Sequence, residues 1–265
     1  MPKRIGRRDK VAVRQGEMTE TSGSDWQTDE LPRFFLEGVR GAIPGVALQF
    51  AVIGKIVDRW SRSPRRILDL GCGNGILGQF LLARFPSARG LFLDFSDAML
   101  AAAREQVGSF GRAVVVRADF GSPRWLEAAA PHAPFDLVVS GFAIHHQPDE
   151  RKRELYSEIF GLLEPGGIFL NLEHVASATE AGEELFDEFF VDHLHEYHVR
   201  ADPRVDRDAV ADKYYRRSDK KENILAGVVD QCAWLREIGF ADVDCFFKLF
   251  ELAIFGGRKG PPCAR

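Results

Sequence analysis

The stretch Arg66-Ile67-Leu68-Asp69-Leu70-Gly71-Cys72-Gly73-Asn74-Gly75 constrains this chain more than any other. Ile67, Leu68 and Leu70 form a short apolar run around one acid, Asp69, and the run breaks into glycines at every second position. Such a run suits the central strand of a sheet covered on both faces. The glycines permit positive φ and let a ligand lie against bare backbone. Beyond them Ile76, Leu77, Phe80 and Leu81 recur at helical spacing, so the loop opens a helix. Strand, glycine loop and helix together mark a nucleotide-type pocket at the carboxyl end of a parallel sheet.

The spacing is G-x-G-x-G, not the G-x-G-x-x-G of pyrophosphate binders. No basic residue lies between Leu68 and Gln79, so the loop does not invite phosphate. An acid just ahead of it suits a cation. S-adenosylmethionine, which carries a sulfonium and an ammonium and no phosphate, meets those requirements. The stretch resembles motif I of the class I methyltransferases, and that resemblance implies cofactor contacts from Asp69, Gly71, Cys72 and Gly73.

At 265 residues the chain is one large domain, or one domain with an inserted cap. Its formal charge of −4 argues against wholesale binding of nucleic acid or a membrane surface. No apolar run reaches membrane-spanning length, and the N-terminus lacks a signal-peptide apolar region, so a cytoplasmic location is expected. Cys72, Cys232, Cys245 and Cys263 show no C-x-x-C pairing and read as free thiols.

Residues 1–25 are polar and without hydrophobic period, and read as an irregular tail. Residues 26–260 read as a single domain. From Trp26 to Trp60 the pattern gives two amphipathic helices broken at Pro44-Gly45, the first with Leu31, Phe34, Phe35 and Val39, the second with Leu48, Ala51, Val52, Ile56 and Val57. Strand and helix then alternate through a core over 63–173. Leu91–Asp94 is a second strand ending in an acid about 20 residues past the loop, where a dinucleotide fold places its ribose-binding carboxylate. Phe95 follows it, Ser96 is a helix N-cap, and Met99 is placed to pack on the adenine.

Ala113–Arg117 is a third strand leading to Asp119 and Phe120; Asp119 reads as an acceptor for the adenine amino group or as a loop acid capping the helix that starts near Pro123, and Phe120 offers an apolar face. Phe135–Ser140 is the fourth strand. Asp149 is an N-cap for the next helix, Glu164-Pro165-Gly166-Gly167 stops it, and Ile168–Leu172 is strand five. An insertion spans 174–225, with a helix over 183–197 and a charged stretch from 200 to 221. A helix over 223–238 and a hairpin of 241–247 with 251–256 close the domain.

Asp69-x-Gly-x-Gly-x-Gly, Asp94, Asp119, Phe135-Asp-Leu-Val-Val139 and Leu163-x-Pro-Gly-Gly167 occur in order and at the spacing of the class I S-adenosylmethionine-dependent methyltransferases, which residues 66–173 resemble. The resemblance implies a Rossmann-like α/β fold with a seven-stranded, doubly wound sheet in order 3-2-1-4-5-7-6, the last strand antiparallel. The N-terminal helices (26–62) lid the cofactor, as the resemblance implies, or else cover the sheet edge, and the 174–225 insertion and the last helix with its hairpin (226–258) complete the domain. It also implies that Ser140, at the end of strand four, touches the cofactor.

Methyl transfer requires donor and acceptor held in line, water excluded, and sometimes a base. His145 and His146 follow strand four, and either imidazole is a candidate base; the alternative is a pocket-shaping role. Phe35, His174, Tyr214, Tyr215 and Arg217 are candidate acceptor-binding residues. His193 and His195 point to different faces of the inserted helix, and no metal is expected.

A narrower similarity, to the carboxy-S-adenosylmethionine synthase branch, rests on the Pro44-Gly45 break, Glu222-Asn223-Ile224, Trp234-Leu235, Gly239-Phe240 and Phe246-Phe247. A carboxylated cofactor needs a fixed cation. Where that branch has its arginine this chain has Ser218, with Arg217 one residue earlier, and where that branch has an aromatic this chain has Val46. The reading is therefore a methyltransferase that uses ordinary S-adenosylmethionine on a small-molecule acceptor, as a monomer or a homodimer. A carboxylating or other non-methylating use of the cofactor, and a non-catalytic cofactor-binding protein, remain the alternatives.

Overall fold

The computed structural model describes residues 43–61 and 63–260, with the side chains of Ser218 and Asp219 set aside. The expected tail, the first lid helix with Phe34 and Phe35, and Cys263 lie outside the described residues.

Helix α1 (Val46–Trp60) leads into β1 (Arg66–Leu70), α2 (Ile76–Arg84), β2 (Arg89–Asp94), α3 (Asp97–Val107), β3 (Ala113–Arg117) and α4 (Trp125–Ala129). Then follow β4 (Phe135–Gly141), α5 (Asp149–Leu162), β5 (Leu163–His174), α6 (Glu180–Val199), α7 (Arg207–Tyr215), α8 (Val228–Ile238), β6 (Phe240–Leu249) and β7 (Leu252–Lys259). The strands form one seven-stranded sheet in order 3-2-1-4-5-7-6. β1 pairs in parallel with β2 and with β4, β2 with β3, and β4 with β5, while β7 runs antiparallel to β5 and β6.

The alternation along β1 sorts its side chains between two cores. Leu68 and Leu70 join the cluster that holds Trp125, Tyr156, Ile159, Phe169 and Leu235. Ile67 joins the opposite cluster with Ile53, Val57, Leu81, Phe92 and Leu137. Each fully buried aliphatic or aromatic side chain contributes about 1.5–3 kcal/mol relative to exposure, so the central strands anchor the fold. A third cluster, Phe186, Phe190, Leu194 and Tyr214 with Leu252, packs the insertion onto the sheet.

Three boundaries differ from the sequence expectation. α5 has Pro148, not Asp149, at its N-cap; the Asp149 carboxylate accepts from Lys152 Nζ at 2.7 Å instead. Glu164–Gly167 does not separate helix from strand: β5 pairs from Leu163, and the Pro-Gly-Gly turn bulges out between Phe135 and Leu137 of β4. The last helix starts at Val228 rather than Asn223, because the backbone of Ile224 is claimed elsewhere: its N–H donates to His145 O at 2.8 Å and its carbonyl accepts from Lys152.

Candidate active site

The carboxyl ends of β1, β2, β4 and β5 meet around the glycine loop. Gly71, Gly73 and Gly75 all have positive φ, at 66°, 53° and 80°. At Gly71 a Cβ would also stand 2.4 Å from Ala143 Cβ, so no other residue fits. Asp69 faces α2 and accepts from Gly78 N at 2.8 Å, holding the start of that helix against the strand. Asp94 bridges loop and sheet, accepting from Gly73 N at 2.8 Å and from Ser96 N at 2.9 Å. Ser140 donates its hydroxyl to Leu70 O at 2.8 Å. Cys72 is buried, with Sγ 3.5 Å from Gly73 O.

Ser96 caps α3, accepting from Met99 N at 3.5 Å, and Met99 is buried. Phe95 is half-buried. Phe120 is buried beside Gly71, and Asp119 is exposed, its Oδ1 accepting from Gly121 N at 2.7 Å. Arg151 fixes this loop from below: it donates to Phe120 O at 2.9 Å while pairing with Glu158 at 2.6 Å.

Around the loop mouth stand carboxylates, apolar faces and glycine backbone, with no lysine or arginine anywhere from Ile67 to Ala83. That donor set fits a positively charged nucleoside and does not fit a phosphate.

Next to the loop lies a cluster whose centre is Glu173, fully buried on β5. His145 presents Nδ1 to Glu173 Oε1 at 2.5 Å, and its own N–H donates to Oε2 at 3.1 Å. His174 N donates to Oε1 at 2.9 Å. Burial pushes the Glu173 carboxyl up, but the His145 charge, its hydrogen bond and the His174 backbone N–H more than offset this, so it sits below its ordinary value. An ionised Glu173 only accepts, so His145 Nδ1 is the donor of this pair.

Behind Glu173 the network continues. Asn171 Nδ2 lies 3.4 Å from Glu173 Oε2 and 3.5 Å from Tyr156 Oη, and Tyr156 donates to Gln231 Oε1 at 2.6 Å. Burial, reinforced by the Glu173 charge, raises the Tyr156 pKa well above the ordinary range and keeps it neutral. The His146 ring lies 4.0 Å from that of His145, with Nδ1 3.3 Å from Glu222 O. His174 stands 5.8 Å from His145, ring to ring, and pairs with the buried Glu251 at 2.8 Å.

Of the sequence candidates, the loop residues gather with Asp94, Phe120 and Ser140, and the three histidines form a second group beside them. Tyr214, Tyr215 and Arg217 sit apart on the insertion. Tyr214 is buried and donates to Asp187 at 2.6 Å, Tyr215 is exposed, and Arg217 lies 6.0 Å from the Tyr214 ring. A ladder of rings, His174, Phe186, Phe190 and Tyr214, each 5.4–5.6 Å from the next, links the two groups. Phe35 lies outside the described residues. Among the described residues no cluster of three or more His, Cys, Asp or Glu side chains could hold a metal ion.

Sequence reasoning did not single out Glu173, Asn171, Tyr156 or Gln231 as functional. The available signal was in β5, where Asn171 and Glu173 put polar side chains at alternate positions of an otherwise apolar run and so on one face.

Residues 67–167 match the family model of a methyltransferase domain. The sheet order and the glycine loop agree with that match. This core is a class I methyltransferase domain. The chain is 32% identical over 145 residues to a trans-aconitate 2-methyltransferase of Acidovorax sp. (strain JS42), covering 54% of this chain and 48% of that protein. It is 26% identical over 151 residues to a carboxy-S-adenosyl-L-methionine synthase of Chromohalobacter salexigens, covering 55% and 53%. The chain thus spans about half the length of these curated relatives. The methyltransferase domain shares its fold with an O-methyltransferase family protein from Burkholderia thailandensis, at TM-score 0.56 and 18% identity over 79% of this chain and 56% of that one. Among the described residues no helix is long and apolar enough to cross a membrane.

Proposed function

We propose that the chain is an S-adenosylmethionine-dependent methyltransferase acting on a small molecule, with His145 as general base. The observation that carries the reading is the buried His145–Glu173 pair at the carboxyl end of the sheet, beside a glycine loop whose surroundings suit a cationic nucleoside. When bound, the cofactor supplies an electrophilic methyl group. Asp94 is the candidate ribose partner, and Phe120 and Met99 offer apolar surface to the adenine. Asp69 and Ser140 hold the loop in shape rather than reach the ligand.

His145 Nε2 accepts the proton that the acceptor heteroatom gives up, and Glu173 stabilises the imidazolium that results. A base so placed contributes about 10²–10⁴ in rate. His146 flanks it at the mouth, His174 stands at the end of β5, and the insertion carrying Tyr214, Tyr215 and Arg217 covers the acceptor side. A soluble, cytoplasmic enzyme without nucleic-acid partners fits the charge.

Titration of the purified protein with S-adenosylmethionine, followed by transfer of a labelled methyl group to a panel of small acceptors, tests the reading. His145→Ala should keep cofactor affinity and lose transfer. Transfer that survives this substitution refutes the base assignment, and binding without turnover on any acceptor favours a non-catalytic protein. A co-purifying cofactor heavier by one carboxylate would point to the carboxylating alternative.

A further inference from the structure

Helix α5 carries a buried ion pair that the proposed chemistry does not use. Arg151 and Glu158 stand two turns apart on one face of α5, with side chains 8% and 14% exposed. The guanidinium meets the carboxylate end-on, Nη1 to Oε1 at 2.8 Å and Nη2 to Oε2 at 2.6 Å. Glu154, one turn on from Arg151, also accepts from Nη1, at 3.1 Å. A buried pair of this kind adds little net stability, because lost hydration offsets most of the attraction, and two apolar side chains of similar volume would fill the space as well. What the pair has and they lack is direction.

A guanidinium is planar and rigid, so a carboxylate on its two terminal nitrogens fixes where its Nε–H points. Here Nε donates to Phe120 O at 2.9 Å. Glu158 makes a second tie: its Oε2 accepts from the indole Nε1 of Trp125 at 2.6 Å, and Trp125 is fully buried. One ion pair therefore anchors the segment between β3 and α4 at Phe120 and again at Trp125.

That segment begins beside the candidate ribose partner, since Ala118 N donates to Asp94 O at 2.9 Å. The Phe120 ring lies against Gly71 of the glycine loop. Asp119, between Ala118 and Phe120 in sequence, is exposed. Among the described residues only its Oδ1 is engaged, by Gly121 N at 2.7 Å, so one acceptor oxygen stays open. An adenine offers the matching pair of features, an apolar face and an exocyclic amino donor.

We propose that Arg151 and Glu158 are positioning residues for the cofactor's adenine, holding residues 118–124 so that Asp119 accepts from the exocyclic amino group while the Phe120 ring packs on the base. The inference rests on the cofactor site described above and extends it to two side chains that act through the loop.

Calorimetric titration of the full chain with S-adenosylhomocysteine and with S-inosylhomocysteine, in which oxygen replaces that amino group, tests the proposal. Wild type should prefer the adenine compound by at least about tenfold, the effect of losing a hydrogen bond to a charged acceptor. Asp119→Ala should remove the preference directly. Arg151→Met leaves Glu158 buried without its cation and endangers the fold itself. Arg151→Lys is the decisive variant: it keeps a cation opposite Glu158 and gives up the fork that aims at Phe120 O. Its preference should drop to about threefold or less. A pair that served only the fold would weaken both ligands alike and leave their ratio as in wild type. An unchanged ratio in Arg151→Lys, a preference that survives Asp119→Ala, equal affinities in wild type, or an Arg151→Lys chain that does not fold overturns the proposal. Wild type that binds neither compound sinks the cofactor site itself, an outcome distinct from binding both without preference.

Discussion

Replacing Glu173 with Gln keeps the side chain's shape and removes its charge, which isolates what the carboxylate does for His145. The neutral amide no longer dictates which imidazole nitrogen holds the proton, so methyl transfer should fall at least about tenfold while cofactor affinity stays level. Stability carries a second signature. The Glu173 carboxyl titrates below its ordinary value of 4.5 in the folded protein. A depressed carboxylate contributes stability that is present above the unfolded value and lost as pH falls through the folded one. Denaturant midpoints should therefore separate wild type from Glu173→Gln at pH 7, and the gap should close as pH drops below about 4.5. A gap that widens on acidification would contradict the assignment. At Asp94 the expectation concerns binding: Asp94→Ala should weaken cofactor affinity by about 1–3 kcal/mol, as lost charged hydrogen bonds do, measured by calorimetry.

Among the elements, the segment between Glu222 and Val228 shows why sequence reasoning misplaces a boundary. Ile224 fits the 3.6-residue period of α8, yet it is exposed, and both of its backbone groups bond to distant partners. Periodicity carries no trace of Lys152, 72 residues away, which is buried and donates to Ile224 O. The charged stretch after the inserted helix likewise hid α7, whose start is marked only by Asp206 accepting from Ala209 N at 3.1 Å. The strands up to β4, by contrast, were legible to within two residues at either end, because both faces of the central ones bury apolar side chains. The glycine loop was legible for a related reason: positive φ leaves few alternatives to glycine. Glu173 was not, since its meaning depends on His145, 28 residues earlier. Lys152→Met tests the misplaced segment directly. It leaves the Ile224 carbonyl without its donor, so the amide of Ile224 should exchange with solvent about tenfold faster while amides of β1 and β4 keep wild-type rates. Unchanged exchange at Ile224 would show that its bond to His145 O alone holds the strap.

For the molecule as a whole, the proposed ligand site gathers the ends of four adjacent strands, β2, β1, β4 and β5, so occupancy should couple to global unfolding. The loop from β1 is tied to β2 through Asp94, β4 to β1 through Ser140, and β4 to β5 through His145 and Glu173. A ligand spanning that line binds only the folded chain. At a free concentration one hundred times its dissociation constant it adds about 2.7 kcal/mol. For a domain of this size that raises Tm by about 5–10 °C. S-adenosylhomocysteine should produce the shift, and ATP and NAD should not, because the loop and helix from Ile67 to Ala83 offer no cation to a phosphate. Asp94→Ala should shrink the shift at equal ligand concentration, whereas Tyr215→Ala, an exposed position on α7, should leave it intact. A comparable rise with ATP would mean that the backbone N–H groups of the loop hold phosphate after all. The charge argument that separates this pocket from a dinucleotide site would then fail.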